Sequence, residues 1–224
     1  MLARRVLPRL SALSASVGQQ QPHRAVHAPP RALDAIVKLD LLAREPRERI
    51  EEIWKGYHTD KEHTVAAVWE AADYEAFKVA VGTAGSLCLY PVPREGGYFV
   101  LISQTAEDGK SCLFTYLEDY RRDPANAVPY LSVAFYSELA ELEGAAGAGG
   151  GEGSSGSGEA DGGSSGIVLV RGDITPGTLE LDECHRLLEL TKYCYREKLI
   201  DVRCFNKGDE RFDYEKHIAD CLEK

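Results

Sequence analysis

No apolar run in this chain approaches the roughly 20 residues that a membrane-spanning helix needs. The longest, Ser86–Val92 and Tyr98–Ser103, are the size of strands, and no membrane span is expected. The six cysteines (Cys88, Cys112, Cys184, Cys194, Cys204 and Cys221) include no C-x-x-C pair. Paired-ligand zinc modules are therefore disfavoured. The first 33 residues contain no acid but carry Arg4, Arg5, Arg9, Arg24 and Arg31. With those five set aside, 21 of the 26 basic residues face 36 acidic ones, a formal charge of −15. A body so acidic does not hold a phosphate backbone, because that binding rests on counterions released by Lys and Arg. No nucleic acid partner is expected.

What the N-terminus does have is an address. Residues 1–33 are rich in Arg, Ser and Ala, the composition of a transit peptide, and are expected to be disordered. Leu2, Val6, Leu10 and Leu13 fall within an arc of roughly 80° on a helical wheel. A secretory signal fits less well, since no unbroken apolar core follows the basic end. The expectation is import into the mitochondrial matrix, with cleavage between Arg24 and Leu33. In that reducing compartment the six cysteines read as buried thiols, not as a disulfide frame.

Residues 34–224 read as one domain, interrupted by a low-complexity insert at 144–166. The insert holds 11 of the chain's 21 glycines and no aromatic or β-branched residue, so a flexible coil is expected. It lacks the G-K-[ST] of a phosphate loop. Lengthening a loop from about 4 to about 24 residues costs only roughly 1.6 kcal/mol, which a fold of this size tolerates.

Around the insert, Leu33–Leu41 suggests a short helix. Pro46 can open a second, on which Ile50, Ile53, Trp54 and Tyr57 form one apolar stripe. A further helical stretch is read over His63–Thr83, with a break near Asp73. Five strands follow: Ser86–Tyr90, Tyr98–Thr105, Ser111–Leu117, Tyr130–Ser137 and Ile167–Ile174. Asp108-Gly109 is a tight-hairpin signal. Helices over Leu179–Lys198 and Tyr214–Leu222 close the chain. The expected fold is α+β, a largely antiparallel five-stranded sheet packed with helices.

Chemistry is scarce. His217 and Cys221 share a helix face at i,i+4, but Cys221 lies on the apolar stripe, and neither a metal site nor a cofactor is expected. Cys184 and His185 are neighbours on a helix and point about 100° apart, so they make no nucleophile–base pair. His58 stands at a helix end, where a cap is the plain reading and the dipole favours imidazolium. No catalytic residue is assigned. What remains is the segment Tyr90–Phe99. Pro91 and Pro93 cannot donate ladder hydrogen bonds and mark an edge strand or a bulge, while Arg94, Tyr98 and Phe99 are residue types that interfaces use.

Several segments, taken in order, resemble one family. They are Leu33–Leu42, Ile50–His58, Tyr90–Arg94 with Gly97–Phe99 and Gln104, and Phe114-Thr115. Pro129–Leu131, Tyr136–Leu139, Gly166–Ile174, Phe205-Asn206 and Phe212–Tyr214 complete the set. Together they resemble the mitochondrial chaperones that bind the unassembled β subunit of the ATP synthase catalytic sector. The resemblance implies no active site and a transient partner, the β subunit, kept from aggregating until the α subunit takes its place. Two features depart from it: the insert, and a Tyr-Pro-Val-Pro leading strand where the family more often has Leu-Pro-Leu-Pro. The candidate binding surface is the hairpin (Pro91, Pro93, Arg94, Tyr98, Phe99) with the end of the second helix (Trp54, Tyr57, His58). A small matrix enzyme of unrecognised chemistry and a stable accessory subunit of a respiratory or ATP-synthase complex are the alternatives.

Overall fold

The computed structural model describes residues 30–142 and 166–224. The transit-peptide reading lies outside the described residues except for its last four positions, and the insert reading does so except for Gly166.

A 3-10 turn, Leu33–Ala35, precedes α1 (Leu39–Leu42) and α2 (Arg47–Thr59), followed by β1 (Thr64–Glu70) and α3 (Ala71–Ala84). Next come β2 (Leu87–Arg94), β3 (Gly97–Thr105), β4 (Ser111–Tyr116), α4 (Leu117–Arg122) and β5 (Pro129–Tyr136). After the insert the chain forms β6 (Ile167–Ile174), α5 (Leu181–Glu197), α6 (Leu199–Lys207) and α7 (Tyr214–Leu222).

The class is α+β, a curled antiparallel sheet with helices in a single domain, but the sheet has six strands and not five. Its order is β1-β6-β5-β4-β3-β2, with every neighbouring pair antiparallel. The extra strand is β1, read above as the start of a helix. Val65, Val68 and Trp69 satisfy i,i+3,i+4 spacing, and a short apolar run cannot be told from a helix by periodicity alone. The β-branched Thr64, Val65 and Val68 favour the strand, and pairing along β6 from Thr64↔Asp173 to Glu70↔Ile167 settles it. The helix begins only at Ala71.

The sheet divides the interior into three apolar clusters. Its front face carries Val65, Trp69, Tyr90, Leu101, Phe114, Leu131, Phe135 and Val170, covered by Phe77 of α3 and Leu187 and Leu188 of α5. Gly172 allows this packing, since a Cβ there would stand 2.6 Å from Val65 Cγ1 and 2.8 Å from Leu131 Cδ1. The back face is covered in two halves. At the β1–β6–β5 end, Leu33, Leu42, Ile50 and Trp54 pack on Tyr136, Ile167 and Leu169. At the β2–β3 end, Leu117, Tyr120, Phe205 and Ile218 pack on Leu87, Leu89, Val100 and Ile102.

α6 and α7 wrap the β2 edge, since Val202 and Cys221 belong to the front cluster and Phe205 and Ile218 to the back one. Their polar side chains seal the strand's outward backbone. Asn206 Nδ2 donates to Leu87 O (2.7 Å) and its Oδ1 accepts from Leu87 N (3.1 Å). His217 Nε2 donates to Leu89 O (2.9 Å), and Arg186 of α5 reaches Pro91 O (3.4 Å).

Candidate functional site

The two halves of the expected binding surface stand at opposite edges of the sheet. α2 lies on the back face at the β1 end, while the β2–β3 hairpin forms the other edge. Of the eight named residues, the structure turns several inward. Trp54 is 0% exposed, and its indole N–H donates to Val170 O at 3.1 Å across the back of the sheet. His58 is buried beside it, ring centroids 4.4 Å apart, with Nδ1–H donating to Trp54 O at 2.7 Å. Burial holds the His58 pKa below its ordinary value, outweighing the Trp54 carbonyl that raises it. The dipole argument for an imidazolium thus loses to desolvation. Pro91 is buried as well, so Trp54, His58 and Pro91 shape the molecule from inside.

The remaining residues reach solvent to different degrees. Tyr57 is 45% exposed, with the Lys61 ammonium 3.0 Å from its ring centroid; a hydrogen bond from Lys61 lowers the phenol pKa. Tyr98 is 46% exposed, and Pro93 lies beside it on the surface. Phe99 is half-buried against Tyr116 and Tyr130, at 6.0 and 6.2 Å. Arg94 is engaged: it donates to Thr178 O at 3.1 Å and pairs with Glu183. Glu183 also accepts from Glu180 N in the capping box that opens α5, so the hairpin is tied to that helix start.

Sequence reasoning missed an apolar hollow of about 220 Å³ between α1 and α2, lined by Val37, Lys38, Leu41, Leu42, Glu45 and Ile53. Leu41 is 56% exposed at its rim. Ile53 stands one turn before Tyr57 on α2, so hollow and ring lie on the same side of that helix. The signal was present, since Leu41 and Ile53 are apolar positions on short helices. The stripe periodicity assigned them to the core because it does not tell which stripe residues find cover.

The adjacent Cys184 and His185 do not meet. Cys184 is buried, with its thiol pushed up to about 12 by burial, and His185 faces solvent. A thiol so raised is not a nucleophile at neutral pH. What the described residues leave exposed here is apolar and aromatic: Leu41 beside the hollow, and the rings of Tyr57 and Tyr98.

A family model, ATP11 protein, matches residues 8–218. The chain belongs to that family, which comprises assembly chaperones of the F1 ATP synthase and is not a family of enzymes. No curated protein matches the chain.

Proposed function

We propose that the protein binds the unassembled β subunit of the mitochondrial ATP synthase in the matrix. It keeps that subunit from aggregating until the α subunit replaces it. The family match across residues 8–218 carries this reading. The exposed apolar hollow beside Tyr57 supports it, because a protein that shields another's sticky face needs such a surface of its own. The acidic body and the basic, acid-free N-terminal segment fit an imported, soluble factor.

Release needs no chemical step. The chaperone must hold the β subunit more tightly than self-association does and less tightly than the final αβ contact, a difference of affinities between competing partners. The contact surface is the α1–α2 hollow with Leu41 and Tyr57, with Tyr98 on the hairpin as a second point.

The test is refolding of β subunit from denaturant with and without the full chain, followed by light scattering. Equimolar chain should suppress the scattering, and added α subunit should then release it. Unchanged scattering would overturn the reading. Leu41→Asp combined with Tyr57→Ala should weaken capture while leaving the far-ultraviolet dichroism intact. Full capture by that variant and by Tyr98→Ala would place the surface elsewhere.

A further inference from the structure

Three cysteines and a histidine, far apart in sequence, meet inside the protein. Cys88 comes from β2, Cys194 from α5, and His217 and Cys221 from α7, none more than 2% exposed. One ligand atom from each of Cys88, Cys194 and His217 falls within 4.8 Å of the other two. Cys221 Sγ lies 3.8 Å from Cys194 Sγ and 3.8 Å from His217 Nε2. We propose that these four side chains form a structural zinc site of the Cys3His type, joining the β2 edge to α5 and α7.

The geometry suits that ion. Zinc takes thiolate sulfur at about 2.3 Å and imidazole nitrogen at about 2.0–2.1 Å in a tetrahedron, which sets neighbouring ligand atoms roughly 3.5–3.8 Å apart. The two 3.8 Å separations already have that length, while Cys88, Cys194 and His217, which lie within 4.8 Å of one another, must draw in to reach it, with Cys88 also closing on Cys221. Three soft sulfurs with one imidazole select zinc over the hard, oxygen-seeking cations. Four protein ligands leave no open position, so the site is structural and not catalytic.

The thiols of this cluster also behave unlike the chain's other buried ones. Burial pushes Cys112 and Cys184 up to about 12, as expected for thiols among apolar neighbours. Burial pushes Cys88 upward too, but contacts with Cys194 and His217 outweigh it and bring it to about 5. Cys221 is lowered to about 6, chiefly by Cys194 and then by His217. His217 is correspondingly raised to about 11, because its contacts with Cys221 and Cys88 overcome the burial that lowers it. On binding zinc, the protons still held by the three sulfurs and by Nε2 pass to solvent, Nε2 exchanges its hydrogen bond to Leu89 O for the metal, and the ring proton stays on Nδ1.

Zinc with three thiolates leaves one net negative charge. Arg186 brings a positive charge next to the site, its Nη2 donating to the Cys221 backbone carbonyl at 2.8 Å. The ordinary alternative is a set of packed thiols around a histidine that caps Leu89 O.

The experiment uses the full chain, purified from zinc-supplemented culture and analysed by mass spectrometry for bound metal. Stoichiometric zinc is expected in the parent and in Cys112→Ala, and background zinc in Cys194→Ala. Zinc is then exchanged for cobalt(II). A thiolate-to-cobalt charge-transfer band with intense visible ligand-field bands supports tetrahedral sulfur ligation. This spectrum is read on the parent chain, so it stands even if Cys194→Ala fails to fold. A folded parent that holds no zinc and gives no charge-transfer band with cobalt would overturn the site. So would full metal retention in Cys194→Ala.

Discussion

At the scale of single residues, burial decides what each aromatic or titratable group does. The stripe Ile50–Ile53–Trp54–Tyr57 was legible as a stripe, and Trp54 takes the core position its spacing implies. Whether Tyr57 or Ile53 would be covered was not legible, because that depends on α1 and on β6, more than a hundred residues downstream. His58 gives a measurable consequence. Its pKa is lowered by burial, with Lys61 and Arg171 lowering it further and the Trp54 carbonyl and Asp173 opposing. In the unfolded chain it protonates near about pH 6.5, whereas the folded chain resists the proton until lower pH. The unfolded state therefore binds more protons below that point, and stability falls on acidification. His58→Gln cannot titrate. Urea midpoints of parent and variant should converge as pH falls from about 7 to about 5.5, a window set by the ordinary histidine pKa. A constant difference across that range would show that His58 is not held neutral by burial.

At the scale of elements, the helices with strong stripes and the hairpins with glycine turns were legible, and β1 was not. Gly109 takes positive φ, 71°, at the turn that Asp108-Gly109 announces, and Gly96, at 82°, turns the chain between β2 and β3. Pro91-x-Pro93 announces an edge or a bulge, and β2 is an edge strand. β1 was hidden because Thr64–Glu70 runs straight into a real helix and its apolar residues fit either period. The sealing of β2 was equally hidden, since Asn206 lies 119 residues from Leu87. Asn206 also donates to Val202 O at 2.8 Å, so a single side chain binds strand edge to helix. Gly85, at φ 121°, keeps room for it, because a Cβ there would fall 2.2 Å from Asn206 Cγ. Asn206→Ala leaves Leu87 N–H and C=O without partners at a partly buried edge. A loss of roughly 1–3 kcal/mol is expected from such orphaned groups. The Leu87 amide should also exchange with deuterium faster. Protection of that amide equal to the parent's would mean that solvent or a neighbour already seals the edge without Asn206.

At the scale of the whole molecule, the back face of the sheet carries two apolar layers, one at each end, and the front face carries a single core. The hollow adjoins the N-terminal layer, while the cluster of Cys88, Cys194, His217 and Cys221 lies at the opposite, β2 edge of the sheet. The insert enters between β5 and β6, which are antiparallel neighbours in register from Leu131↔Ile174 to Tyr136↔Leu169. It therefore interrupts a local connection and not a crossover. Gly166, at its far end, is anchored by accepting a hydrogen bond from Ala71 N at 2.7 Å, so β6 has its own point of attachment. Replacing residues 143–165 by a loop of about four should raise stability by up to roughly 1.6 kcal/mol, the closure entropy of the longer loop. Protection of refolding β subunit should be unchanged, since no part of the hollow, of Tyr57 or of the hairpin is removed. Thermal melting and the scattering assay read the two expectations separately. A shortened chain that melts as high as the parent but no longer suppresses scattering would move part of the contact surface into the insert.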